Sequence, residues 1–197
     1  MCQEALTPKC GAIVTHHWSH KGRIDCDSWH EPETEWHRRW KSLVPKENCE
    51  VTMRKNGQIH RADIRIRNDV VVELQHSSIS VAEIYAREQF YGPSMLWLFD
   101  ATQVNSKRTR LYFGRPKRTH YDWIQENLNL GSQIPSNLRW FHWIHPRTSA
   151  FFAKAEKTYI DTGPHGILKL LKIVDIPSGR GWCLLNHTSV FKKWLRG

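Results

Sequence analysis

The chain has 197 residues, enough for one hydrophobic core with a small appended module. Hydrophobic residues make up 40% and charged residues 24%, with no run near the ~18 apolar residues of a membrane helix, which excludes membrane-spanning and intrinsically disordered classes. The formal net charge of +10 favours an anionic partner, nucleic acid before any other, although a basic surface also serves solubility.

The N-terminal residues lack the basic-then-apolar layout of a secretion signal, so a soluble, cytoplasmic protein is expected. Five cysteines, at 2, 10, 26, 49 and 183, are an odd and scattered set that argues against a disulfide framework. Residues 1–30 have little periodicity and read as an arm rich in Cys and His. Within it, Cys10, His17, His20 and Cys26 form a candidate Cys2His2 zinc set. The close cysteine pair usual in such sites is missing, and the histidines equally suit a packed loop.

From Glu33 the pattern changes. The run ETEWHRRWKSLV puts Trp36, Trp40 and Leu43 at helical spacing, and Pro45 closes the helix. Residues 49–53 alternate weakly as a strand. In QIHRADIRIR (58–67), Ala62, Ile64 and Ile66 face one way while Arg61, Asp63, Arg65 and Arg67 face the other. Asn68-Asp69 signals a turn, and VVVELQ (70–75) reads as a buried strand. Ser80 and Glu83 make a capping-box pattern opening a helix that ends at Gly92-Pro93. MLWLFD (95–100) is the next buried strand. Beyond 100 the elements are sparser: strands at 110–113 and 139–144, a helix around 120–128, and a terminal strand and helix. The tryptophan-rich RWFHWIHP (139–146) suits either base stacking or packing.

The fold class is thus α/β: a mixed sheet flanked by helices, in αβββαβ order over 31–100. The arm (1–30) precedes it, and residues 101–197 form a C-terminal extension or accessory module.

Asp63 and Glu73 lie on the two strands of the central hairpin. Hard oxygen ligands of this kind suit Mg2+ or Mn2+, and the backbone carbonyl of Leu74 is a natural third ligand. The pair requires both acids on one sheet face. A two-residue turn at Asn68-Asp69 would set Asp63 opposite Leu74, on the wrong face. A three-residue connection, 68–70, would set Asp63 opposite Gln75 and Arg65 opposite Glu73, all on one face. A metal site therefore predicts an odd-length loop or a bulge.

These residues resemble a known family. HHWSHKGRIDCDSWHEPETEWHRRWK, HRADIRI, VVELQHSSISVAEIYAREQFYG and MLWLFD are together similar to competence protein CoiA-like nucleases of the PD-(D/E)XK superfamily, over roughly residues 8–100. The resemblance implies a restriction-endonuclease-like core and metal-dependent hydrolysis of DNA phosphodiesters, in DNA uptake, recombination or defence. It also implies pairing of two copies, as many such enzymes do to cut both strands. Asp63 and Glu73 match the acids of the strands. Gln75 stands where many superfamily members have a catalytic lysine; an amide is no base at neutral pH and only orients water or phosphate. Glu33 and His37 match the first-helix element, with Glu35 an alternative ligand and a helix-N-terminal charge an alternative role for Glu33. Glu83, Arg87 and Tyr91 form a polar stripe in which Arg87 touches phosphate or orients Glu73. His76 and Ser77 are candidate DNA contacts. The competing readings are a non-catalytic nucleic-acid-binding module and an RNA-directed nuclease.

Overall fold

The run at 70–75 forms a strand over its full length in the computed structural model, β5 (Val70–Gln75), with all but its first residue buried. A strand covered on both faces needs no polar alternation. Its neighbour β4 (Gln58–Ile66) does alternate, burying His60, Ala62, Ile64 and Ile66. The structure describes residues 6–10, 17–20, 29, 32–102, 110–131, 133–144, 153 and 157–197, without the side chains of 6, 9 and 17–20.

The chain divides into two units, Met1–His30 and Glu31–Gly197. In the first, β1 (Leu6–Lys9) pairs antiparallel with β2 (His17–His20), and Cys10 is an exposed free thiol. The side chains of His17 and His20, and all of Cys26, lie outside the described residues, so the zinc set is described only at Cys10.

The second unit runs α1 (Glu35–Lys41), β3 (Cys49–Lys55), β4, β5, α2 (Val81–Tyr91), β6 (Met95–Asp100), β7 (Arg110–Gly114), α3 (Tyr121–Leu128), β8 (Leu138–Ile144), β9 (Thr158–Asp161), β10 (Ile167–Asp175), β11 (Arg180–Asn186) and α4 (Thr188–Arg196). Among the described residues it builds a nine-stranded mixed sheet, ordered β3-β4-β5-β6-β9-β10-β11-β8-β7. The β5–β6 and β6–β9 pairs are parallel. Thus β6 pairs on one side with β5 and on the other with β9, and a single sheet runs through both halves of this unit. None of its helices is long and apolar enough to cross a membrane, among the described residues.

The hairpin loop is odd, as a shared face for Asp63 and Glu73 requires, but it is placed one residue earlier than expected. It spans Arg67–Asp69, with Asn68 and Asp69 both at φ 58°. Asn and Asp tolerate that left-handed conformation better than the β-branched Val70, which stays extended and joins the strand. Arg65 consequently faces Val71, not Glu73, and Ile64 faces Val72. The next step along sets Asp63 opposite Glu73 rather than Gln75. Residues 63, 73 and 75 still share a face.

That face is covered by α2, whose Ile84 is fully buried and whose Glu88 accepts the Trp97 indole N–H at 3.1 Å. The opposite face carries Ile64, Ile66, Val72, Leu74 and Leu98 under α1 and α4. Trp36 and Trp40 anchor α1 there, 6% and 1% exposed. Each buried tryptophan is worth roughly 4–6 kcal/mol of transfer free energy, taking 150–250 Å2 at about 25 cal/mol/Å2. Both indole N–H groups donate to one oxygen of the buried Asp161, at 2.9 and 3.0 Å. This satisfies the indoles and fixes α1 against the ends of the parallel strands.

Helix α1 is shorter than its sequence pattern. Thr34 is its N-cap and accepts from the His37 backbone N–H, while Thr34's own N–H donates to His37 Nδ1. Glu33 therefore precedes the helix, whose first-turn acid is Glu35. At α2 only half of the capping box forms: Ser80 Oγ accepts from the Glu83 N–H, but the Glu83 carboxylate turns to Arg87.

Cys183 on β11 is fully buried, and burial pushes its thiol up to about 12. A thiol reagent at pH 8 is expected to leave Cys183 unmodified in the folded protein and to label it at the rate of unfolding. Peptide mass mapping checks this; labelling of Cys183 as fast as that of Cys10 would contradict the packing of β11.

Candidate functional site

The β4–β5 ladder pairs Ile64 with Val72, and one step beyond it the side chains of Asp63 and Glu73 take over the backbone groups. Asp63 Oδ2 accepts the Leu74 N–H at 2.9 Å, and Glu73 Oε1 lies 3.4 Å from the Asp63 nitrogen. The two carboxylates are thus side by side through backbone bonds that neither could make from a random orientation.

Glu73 is no solvated carboxylate: it is 2% exposed. Arg87 Nη1 donates to its Oε2 at 2.8 Å, and Arg87 Nη2 donates to Glu83 at 2.5 Å. The guanidinium also lies 5.8 Å over the Trp97 ring. Burial raises the Glu73 pKa to about 8; the Asp63 charge adds to this and Arg87 works against it. Burial likewise raises the Asp63 pKa, opposed by Lys41 and the Leu74 N–H. Two adjoining carboxylates in little water tend to share a proton, and a cation would release it.

Lys41, on the last turn of α1, was not among the residues expected here. Its ammonium lies 3.0 Å from Asp63 Oδ1 and 3.4 Å from Glu33, and it also bonds Glu50. Burial works to lower its pKa, but Asp63 and Glu50 outweigh that and hold it raised, so the group stays a cation. Glu50, also unexpected, has φ 55° within β3. A non-glycine residue there costs about 1–3 kcal/mol. Its carboxylate bonds both Lys41 and Arg61, the latter at 2.6 Å, and these contacts offset the cost. A sequence signal existed for Lys41, which stands four residues after His37 on one helix side. None existed for Glu50, whose direction depends on that backbone angle.

His37 is buried, and its Nε2 lies 3.1 Å from the Leu74 carbonyl. Because the Thr34 N–H donates to Nδ1, the ring proton sits on Nε2 and donates to that carbonyl. A carbonyl has two lone pairs, so one remains for another partner. Gln75 is buried, with its amide donating to the Ser77 carbonyl at 3.0 Å. Glu33 joins the site through Lys41, whereas Glu35 is exposed and paired with Arg38. Tyr91 is buried at the C-terminal end of α2. His76 follows β5, its Nδ1 2.6 Å from Asp100 on β6 and its ring 6.1 Å from that of His37.

The arrangement brings Asp63, Glu73, the Leu74 carbonyl, Glu33, His37 and Arg87 together near the carboxyl end of β5. Open α/β sheets place their ligand sites at such ends. The donors are hard oxygens of the kind Mg2+ takes, so they fit that ion in chemistry. The described residues hold no ready-made cluster of three or more metal-ligating side chains. Lys41 stands against Asp63 in the position a second cation would contest. No family model matches the chain, and neither the curated proteins nor the solved structures give a match.

Proposed function

We propose that the protein is a metal-dependent nuclease that hydrolyses DNA phosphodiesters, with a restriction-endonuclease-like core of the PD-(D/E)XK type, similar to the CoiA-like enzymes. The observation that carries this reading is the seating of Asp63 and Glu73 side by side, with the Leu74 carbonyl next to them. Asp63, Glu73 and that carbonyl would hold Mg2+ or Mn2+. When bound, the ion supplies Lewis acidity at a phosphoryl oxygen and a water of lowered pKa.

The remaining work falls to the chain. Arg87 holds Glu73 in place. His37 fixes the Leu74 carbonyl through its Nε2–H and leaves one lone pair for a ligand. Gln75, on the same face as Glu73, orients water or phosphate by hydrogen bonding, since an amide takes no proton at neutral pH. Lys41, held charged, sets positive charge beside Asp63 for the developing charge on phosphate. Hydrolysis forms a bond from the water oxygen to phosphorus and breaks one P–O ester bond, the leaving oxygen gaining a proton. Zinc on Cys10, His17, His20 and Cys26 is a separate proposal, read out by metal analysis of the purified protein.

The test is cleavage of linear and circular DNA, single- and double-stranded, with Mg2+, Mn2+ or EDTA. Metal-dependent cleavage that drops at least about a thousandfold in Asp63→Asn and in Glu73→Gln is expected. Salt-sensitive DNA binding with no cleavage under any metal would instead favour the non-catalytic binding module.

A further inference from the structure

The tryptophan-rich run on β8 divides between two faces. Phe141 and Trp143 are 1% and 2% exposed. Trp140, His142 and Ile144 point the other way, and exposure grows toward Ile144, at 41%. Packing therefore explains the first set, and in part Trp140, which lies against the Ile124, Leu138 and Trp182 cluster; it leaves His142, Ile144 and the exposed Tyr112 of β7 to be accounted for.

The register lines up matching residues on the flanking strands. Tyr112, His142 and Arg180 form one row across β7, β8 and β11, and Gly114, Trp140 and Trp182 form the next. Tyr112 is 43% exposed, its ring 6.3 Å from His142. Arg110 Nη1 lies 3.5 Å from the Tyr112 hydroxyl. A Cβ at Gly114 would come within 2.8 Å of Trp140 Nε1, so the glycine lets the indole lie across the β7 backbone. A cleft of about 400 Å3 opens here, lined by Trp140, His142, Val174, Arg180 and Trp182. At its α3 side, Trp123 stacks on Trp182 at 6.0 Å, and the Lys172 ammonium lies 5.4 Å over Trp123.

We infer that this face binds single-stranded nucleic acid, with bases stacked on Tyr112, His142 and Trp140 and phosphates met by Arg110 and Arg180. Aromatic platforms interleaved with cations suit unpaired strands, because every base has a π-face and a duplex hides its own. The cleft volume is within the range that holds a small ligand, about 300–1,000 Å3. The overall charge of +10 has the required sign. The assignment deepens the nuclease reading, on which it rests, by giving the substrate a single-stranded portion that reaches this face.

The test is fluorescence anisotropy with a labelled short oligothymidine and a duplex of equal length, in EDTA at matched salt. The wild type is expected to bind the strand at least about tenfold tighter than the duplex. Tyr112→Ala is expected to weaken strand binding about tenfold while duplex binding is unchanged, and Tyr112→Phe, which keeps the ring, to stay within about twofold. Arg110→Ala should reduce the salt slope for the strand by about 0.7. Both positions are solvent-facing, and circular dichroism checks that each variant is folded. Equal affinity of the wild type for strand and duplex, or wild-type strand binding by Tyr112→Ala, would overturn the assignment. Because EDTA removes cleavage from the measurement, either result leaves metal-dependent hydrolysis at Asp63 and Glu73 to stand or fall by its own assay.

Discussion

At pH 9, where Glu73 is ionised, replacing Arg87 with alanine is expected to lower the unfolding free energy by about 3–5 kcal/mol, the range found when one partner of a buried ion pair is removed. The side chains of Arg87 and Glu73 are 5% and 3% exposed, so water cannot replace the lost guanidinium. Arg87 also bonds Glu83 and lies on Trp97, and both contacts go with it. The deficit should depend on pH with a definite sign. Glu73 titrates near 4.5 when unfolded and near 8 when folded. Between those values the folded chain holds a proton that the unfolded chain has lost, so the Glu73 contribution to stability declines as pH rises through the window. Arg87 opposes that decline by favouring the charged form. Below about pH 8 both chains hold that proton and decline together, and above it only the wild type, with Arg87 in place, ionises Glu73, so the variant should fall further behind at pH 9 than at pH 5. Urea unfolding at the two pH values measures this, and Arg87→Ala/Glu73→Gln completes the cycle by removing the stranded acid. A loss below about 1 kcal/mol, equal at both pH values, would show that the pair contributes little.

Lys41→Met is expected to tighten Mg2+ or Mn2+ binding at least about tenfold while slowing cleavage about a hundredfold. The ammonium now neutralises Asp63, Glu33 and Glu50, so an arriving dication meets repulsion from Lys41 and carboxylates that are already paired. Methionine keeps most of the apolar stem and deletes the charge. The metal gains from the exposed oxygens, and the phosphate loses a fixed cation. Glu33 and Glu50 are 43% and 36% exposed, so solvent holds the loss from each of those pairs to about 0–1 kcal/mol, and the remaining stability cost falls on Asp63. Calorimetric titration with each metal, alongside the cleavage rate, separates the two effects. Unchanged metal affinity would mean that Lys41 does not share the cation position.

Much of the αβββαβ region could be read from the sequence because its side chains alternate or cluster cleanly. The residues of β5 and β6 stand as they were expected, and the odd loop followed from requiring two carboxylates on one face. Its exact position did not, because the choice between 67–69 and 68–70 depends on which residues accept a left-handed backbone. Asp63, Glu73 and Arg87 were legible as acids on paired strands and a helical stripe. Lys41 could be set beside His37 by helical spacing, but Glu50 could not be read, and their meeting needs a helix end and a strained strand residue brought together by tertiary folding. The strands β9 and β10 were missed for separate reasons. Four residues, TYID, are too few to show a period. Along ILKLLKIVD the alternation is broken by register shifts between Leu170 and Lys172 and between Ile173 and Asp175.

The pairing of β6 with β9 has a consequence for how the protein is made. β6 ends at residue 100, and its second neighbour begins at residue 158. A chain emerging from the ribosome in order can pair β3 through β6 while the far edge of β6, apolar from Met95 to Phe99, still has no strand to bond it. During that interval the nascent chain carries an open edge of the kind that recruits other chains, and the hazard ends only when β9 is released and docks. The sheet that positions the candidate site is therefore sealed on that side by residues synthesised well after the site itself.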